Sequence, residues 1–261
     1  MSYISSHEWQ ILNDVISDAN VVLEVLDARD PSGTRNEHLE KLVTQHFENT
    51  KLLVVLNKAD LIPKDVEIKW LYYLKKEFPV IAISCTKWFE RTIRLLRKKI
   101  LTITPSLPAY VAIVGYTNVG KSTIINGLKG TKVVGVSPQA GFTRGKQYVN
   151  LSDAILLIDS PGIIPMEGDE IELALKDFLS PERIKNIEAV VEEIIKRVGH
   201  SEIAKLYKVE FTDGDDFLEK VARQRGKLMS GGMPDTYEAA KTVVREWQRG
   251  RINYYSIPPD R

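Results

Sequence analysis

Two short segments carry residue types whose spacing can hold a nucleotide. Gly115-Tyr116-Thr117-Asn118-Val119-Gly120-Lys121-Ser122 fits the pattern G-x-x-x-x-G-K-[ST]. In such a loop glycine lets the backbone wrap a phosphate with its N–H groups, and the N-terminus of the following helix adds positive dipole. Lys121 reaches the β- and γ-phosphates, and the Ser122 hydroxyl is a hard oxygen ligand for Mg²⁺. Thr117, Val119 and Thr123 are counted with them as nucleotide contacts. Well upstream stands Asn57-Lys58-Ala59-Asp60. The Asp60 carboxylate can accept from guanine N1–H and N2–H₂, a donor pair that adenine lacks. The Lys58 stem can cover the base, and Asn57 can tie this loop to the phosphate loop. Alone, the tetrapeptide is a weak signal, because polar turns after strands are common. It gains force beside a phosphate loop and Ser84-Cys85-Thr86, where the Cys85 N–H can donate to guanine O6. The Cys85 side chain reads equally as a small buried hydrophobe.

A third group would face the γ-phosphate. Asp159-Ser160-Pro161-Gly162 closes an apolar run. Asp159 reads as an outer-sphere Mg²⁺ partner and the Gly162 N–H as a γ-phosphate donor. The polar, glycine-rich stretch 135–147 holds Thr143, the candidate second hydroxyl ligand of Mg²⁺, with a plain surface turn as the alternative. Lys121, Thr143 and Gly162 are therefore the expected catalytic group: the first stabilises phosphate charge, the others sense the γ-phosphate and order with it. Where a Ras-like enzyme carries the glutamine that orients water, this chain has Ile163, so intrinsic hydrolysis is expected to be slow. Asn118 offers an oxygen that can hold a monovalent cation such as K⁺ against the phosphates; a loop-stabilising hydrogen bond is the other reading.

These loops need strands to end at one edge. Short runs rich in Val, Leu and Ile start at Asn20, Lys51, Pro79 and Ala109, and suit strands buried on both faces of a mostly parallel sheet. "KQYVNL" and "AILLIDS" are separated by two residues, which demands an antiparallel hairpin. Helical spacing covers 36–47 and 65–77, a stripe of Phe89, Ile93, Leu96 and Ile100, and a helix from Lys121. The sequence thus predicts an α/β domain over 1–174, with a six-stranded mixed sheet and a linker at 102–109. A helical module over 175–261 would follow. In that module Ser180 and Pro181 are expected to open one helix and Gly199 to close it, with Asp235–Glu238 and Gly250 bounding another.

Composition sets outer limits. The 261 residues are 43% hydrophobic and 27% charged, with a net charge of +1. Overall charge therefore points to no polyanionic partner, and any RNA contact must be local. The single cysteine, Cys85, excludes an internal disulfide framework and fits a reducing compartment, so a cytoplasmic place is expected. The start lacks a signal-like pattern and no run is long and apolar enough to cross a bilayer. From Phe217 to Tyr255 eight basic residues stand against four acidic ones, with Trp247, Tyr254 and Tyr255 interleaved. That composition suits phosphate contacts with base stacking, or a solvated helix face.

The order "NKAD", "SCT", "GYTNVGKST", "GFTRGKQ", "DSPG", with "LDARDP" at 26–31, resembles the circularly permuted GTPases of the YlqF/YawG family, which assemble ribosomes. "FLEKVARQRGKLMSGGMPD" and "VVREWQRGRI" resemble the tail of its archaeal and nucleolar branch. The resemblance implies a permuted Ras-like P-loop domain whose natural termini are joined by 102–109, and a C-terminal helical domain that contacts RNA. It implies GTP and GDP as ligands, Mg²⁺ and K⁺ as cofactors, and the large ribosomal subunit with its rRNA as partner. No membrane, no DNA and a monomer are expected. The alternative is a GTP-dependent switch or scaffold for a protein partner, with negligible hydrolysis of its own. The family usually has proline where Thr117 stands. Its bacterial members carry a histidine in a basic N-terminal motif; His7 lacks that motif, and Ser5–Glu8 reads as a capping box. Because the permutation leads switch two into the helical module, γ-phosphate ordering of 159–164 is expected to reposition 175–261.

Overall fold

The runs of branched apolar residues become the central strands of a computed structural model that describes residues 6–86, 89–130, 147–159, 164 and 168–259. The strands are β1 (Val21–Asp27), β2 (Lys51–Asn57), β3 (Val80–Ala82), β4 (Ala109–Gly115), β5 (Gln147–Ser152) and β6 (Ile155–Asp159). They form one sheet in the order β3-β2-β1-β4-β6-β5. All pairs are parallel except β5 with β6. This is the expected six-stranded mixed sheet, and the short 153–154 connection makes the antiparallel pair. Every residue of β1 is buried, as a strand covered on both faces requires.

Helices of this unit are α1 (Ser6–Asp18), α2 (Pro31–Thr34), α3 (Glu37–His46), α4 (Lys64–Lys75), α5 (Phe89–Ile103) and α6 (Lys121–Lys129). The α5 stripe buries Ile93, Leu96 and Ile100. Because α5 runs to Ile103, the linker into β4 is shorter than expected. Of helix α1 only a start was expected, the Ser5–Glu8 capping box; Leu12, Val15 and Ile16, buried at helical spacing, go with the rest of its length.

Contacts divide the chain into one unit of Tyr3–Met166 with Tyr255–Arg261, and a second of Glu167–Tyr254. The second holds α7 (Glu170–Leu175), α8 (Ile187–Val198), α9 (His200–Tyr207), α10 (Gly214–Gln224) and α11 (Thr236–Gln248). Its core joins Ile187, Val191 and Ile194 of α8 to Phe217 and Val221 of α10 and Val243 and Val244 of α11. One boundary is corrected. Ser180 and Pro181 begin only a 3₁₀ turn, Pro181–Arg183. Helix α8 starts later, because Asn186 Oδ1 accepts the Ala189 N–H at 3.2 Å and caps it. Gly199 closes α8 at φ 98°. Asp235 caps α11 by accepting the Glu238 N–H at 2.9 Å, and Gly250 ends it at φ 68°.

Candidate functional site

Register brings the loops together. Asp27 lies opposite Asn57 across β1 and β2, while Val25 lies opposite Gly115 across β1 and β4. Three strands therefore end at one carboxyl edge, where open α/β sheets bind ligands. Asn57 is buried, and its Nδ2 donates to the Val119 carbonyl at 2.7 Å, joining the two loops directly. Among the described residues its Oδ1 has no hydrogen-bond partner. Gly120 is required beside it: φ is +101°, and an added Cβ would stand 2.1 Å from Asn57 Nδ2.

The side expected to read a base is held by side chains. Lys58 turns the chain out of β2 in the left-handed conformation, φ 61°, into the 3₁₀ turn Ala59–Leu61. Asp60 Oδ1 accepts from Ser84 Oγ at 2.6 Å, and Oδ2 from Thr86 Oγ1 at 2.7 Å. The two hydroxyls of Ser84-Cys85-Thr86 thus fix the carboxylate. The Thr86 N–H closes the turn onto Ser84 Oγ at 3.3 Å. Cys85 is half-buried, and burial reinforced by the Asp60 charge pushes its thiol up to about 11. It is thus a neutral packing group at ordinary pH.

The side expected to hold phosphate is shaped by backbone. Gly115 (φ +152°), Asn118 (φ 57°) and Gly120 carry the turn from β4 into α6. Val119 is buried, Thr117 is half-buried, and Asn118, Ser122 and Thr123 are exposed. Lys121 Nζ donates to the Gly115 carbonyl at 2.7 Å and to the Tyr116 carbonyl. Burial lowers Lys121 to about 8, so any anion placed there would restore its charge. The Ser122 hydroxyl, on the first turn of α6, is a donor of the type Mg²⁺ takes. Among the described residues no cluster of three or more His, Cys, Asp or Glu could hold a metal. Asp159 ends β6, but its side chain, together with Thr143, Gly162 and Ile163, lies outside the described residues.

Several participants escaped the sequence reading. Asp27 Oδ2 accepts Lys58 Nζ at 2.8 Å. Arg29 grips both Asp27 oxygens, Nε to Oδ1 at 3.1 Å and Nη2 to Oδ2 at 2.7 Å. Burial alone would raise the Asp27 carboxyl, but the Arg29 hydrogen bonds and the Lys58 charge prevail and hold it at about 2. The available signal was a charged run, "LDARDP", closing a buried strand. Behind the phosphate loop, Tyr116 OH accepts Asn36 Nδ2 at 3.1 Å, and the Asn36 N–H donates to Glu24 Oε1 at 2.9 Å. Glu24 lies wholly buried in β1; burial, then the nearby Glu40 charge, raises its carboxyl well above the usual range.

The helical unit gives a mixed answer on RNA-type chemistry. Trp247 is no stacking platform: it is buried, and its Nε1 donates to the Leu175 carbonyl at 2.8 Å. Lys220, Arg225, Lys241 and Arg245 are paired with Asp216, Glu246, Glu238 and Glu182. Arg223, Lys227, Arg249 and Arg251 are exposed and make no ion pair among the described residues. His38 packs on Trp9, and His200 Nε2 lies 2.8 Å from the Phe211 carbonyl. No described helix is long and apolar enough to cross a membrane.

The comparisons with known proteins find GTPases. The family model described as "RsgA GTPase" matches residues 3–168, over half the chain, and that described as "50S ribosome-binding GTPase" matches residues 110–227. Nuclear/nucleolar GTPase 2 of Arabidopsis thaliana is 36% identical over 98% of this chain and 45% of its own length. Nucleolar GTP-binding protein 2 of Saccharomyces cerevisiae is 35% identical over 98% of this chain and 54% of its own. The chain thus spans about half the length of the curated relatives it matches. A solved GNP-bound YlqF from T. maritima is 28% identical, with a TM-score of 0.71 covering 98% of this chain and 100% of that one. A GDP-bound structure of TM YlqF is 29% identical at the same TM-score, covering 95% of this chain and 99% of that one.

The cytoplasmic expectation is corrected by these names. Relatives that match nearly the whole chain are called nuclear or nucleolar and point to the nucleolus rather than the cytoplasm. A lone reduced cysteine could not have separated the two, since neither compartment supports structural disulfides.

Proposed function

We propose, for a chain that belongs to the circularly permuted GTPases of the YlqF/YawG family, that it binds and hydrolyses GTP during assembly of the large ribosomal subunit. The observation that carries this is the 2.7 Å bond from Asn57 to Val119, which joins a guanine-reading loop to a phosphate loop that follows it in the chain. Asp60, held by Ser84 and Thr86, selects guanine; the Lys58 stem covers the base; the Cys85 N–H serves O6. Gly115, Thr117, Asn118, Val119, Gly120, Lys121, Ser122 and Thr123 cradle the phosphates.

Ser122 and Thr143, with Asp159 behind them, would hold Mg²⁺, whose role is to neutralise charge on the β- and γ-phosphate oxygens. Asn118 would hold K⁺. Lys121, Thr143 and Gly162 form the catalytic group, and with Ile163 beside it hydrolysis by the chain alone is slow. The large subunit and K⁺ accelerate it. Arg223, Lys227, Arg249 and Arg251 of the helical unit supply phosphate contacts to rRNA, a role supported by exposure without ion pairing among the described residues. The names of the nucleolar relatives support the ribosomal setting.

GTP turnover, measured in K⁺ and in Na⁺, with and without purified large subunits, tests the reading. The expected result is slow turnover alone and stimulation by subunits in K⁺. Unstimulated chain that still exchanges GTP for GDP on a protein partner would favour the switch or scaffold instead. Guanine and adenine nucleotides bound equally would sink both.

A further inference from the structure

The segment Tyr255–Arg261 belongs to the first unit, although the chain reaches it only through the helical unit, Glu167–Tyr254. Its anchor is Ser256. The Ser256 N–H donates to the Arg29 carbonyl at 2.8 Å, and its hydroxyl donates to the same oxygen at 3.3 Å. The Ser256 carbonyl accepts from Nε1–H of Trp70 at 2.8 Å. Trp70 is only 1% exposed and packs edge-on against Tyr73 of α4. Ser256 is thus held to the Arg29 carbonyl by two bonds and to Trp70 by a third.

Arg29 is also what grips Asp27. Its guanidinium meets both carboxylate oxygens, and its own N–H donates to Oδ1 at 3.0 Å. The free side of Oδ2 accepts the Lys58 ammonium at 2.8 Å. Lys58 needs this. Its backbone sits at φ 61°, unusual for a side chain of that size. Its stem would otherwise lie freely in solvent; Lys58 is partly exposed, at 24%.

We infer that residues 255–259 are a positioning strap for guanine recognition: Ser256 and Trp70 fix Arg29, Arg29 fixes Asp27, and Asp27 holds the Lys58 stem where it covers the base. The inference rests on the guanine-reading site above. Arg29, Asp27, Ser256 and Trp70 are positioning residues and touch no reacting atom. Nucleotide residence time then depends on the base-side tether, and by reciprocity bound nucleotide must tighten the strap.

The test uses the full chain and a fluorescent GDP analogue, with release followed after mixing with excess GDP. Arg29→Ala and Ser256→Pro are expected to release the analogue about fivefold faster or more, the lower range of such couplings. Lys58→Ala is expected to make Arg29→Ala silent, so that the double variant releases no faster than Lys58→Ala alone; a merely structural role for Arg29 would add to the Lys58 loss. Independently of any variant, exchange of the Ser256 amide hydrogen should slow when GDP is bound. Release at the wild-type rate in both strap variants overturns the strap, as do additive losses in the double variant or a Ser256 amide indifferent to GDP. Wild-type chain that takes ADP as readily as GDP overturns the guanine reading itself, and is recognised before any variant is made.

Discussion

Where the base-reading half of the site is tied by side chains, with Asp60 held by Ser84 and Thr86 and Lys58 by Asp27, the phosphate half is shaped by backbone, through left-handed turns at Asn118 and Gly120. The difference suits the proposed ligand. A base is told from other bases by a few acceptors in fixed places, so the acceptor must be immobilised before it arrives. Phosphate oxygens accept from many directions, and a curve of N–H groups with one buried ammonium suffices. Asn57 and Gly120 are where the halves touch, and a Cβ at Gly120 would strike Asn57.

The comparison can be broken most severely at the phosphate side. Lys121→Ala is expected to lower GDP affinity about 100-fold or more, as charged hydrogen bonds contribute roughly 1.5–3 kcal/mol each. The preference for GDP over ADP should stay unchanged, which equilibrium titration with both would check. Asp60→Asn should do the reverse. GDP affinity falls about 10- to 100-fold, and preference moves toward a xanthine nucleotide, whose 2-carbonyl accepts where guanine donates. Gly120→Ala belongs to neither half alone. A side chain at φ +101° and 2.1 Å from Asn57 Nδ2 should cost about 1–3 kcal/mol in denaturant unfolding, and weaken base and phosphate binding together.

Two smaller effects separate the halves by pH. Asp27 is held at about 2, below its ordinary 3.8. The folded state therefore binds fewer protons than the unfolded one between those values. The Arg29 and Lys58 contacts contribute about 2 kcal/mol above pH 4, lost as pH falls toward 2. Acid unfolding of Asp27→Asn should lack that component. Lys121 shifts the other way: at about 8 instead of 10.5, it is half-charged at pH 8. Phosphates restore the charge, so GDP binding at pH 8 should take up about half a proton, read from calorimetric heats in buffers of different ionisation enthalpy. Uptake equal at pH 6 and pH 8 would place the ammonium elsewhere.

Much of the first unit was legible because its signals are local. The apolar runs, the two-residue hairpin connection and the α5 stripe each announce their element within a few residues. Helix α1 was legible at its start, in the Ser5–Glu8 capping box, and its length lay open to the same reading through Leu12, Val15 and Ile16. The start of α8 was not: Ser180-Pro181 and Asn186 are both adequate openings by type. The choice fell to Asn186, where the Lys185 and Asn186 N–H groups donate to Glu170 at 3.1 and 3.2 Å. Trp247 misled for a related reason, since an aromatic among basic residues suits a stacking surface until burial shows it serving the core.

The sequence by itself determined the residue types at the site: a glycine loop with its lysine, an Asn-Lys-x-Asp turn, and the order in which they occur. Those are properties of short segments, fixed by φ, by donor count and by charge. Only the tertiary structure decided that Asp27 and Arg29 serve Lys58 and that Ser256 closes on Arg29. These bonds join strands that are neighbours in the sheet but 31 residues apart in the chain, and a segment 227 residues away. Hydrogen bonds act over about 3 Å whatever the separation in sequence, so such partners exist only once parallel pairing has brought the strand ends to one edge.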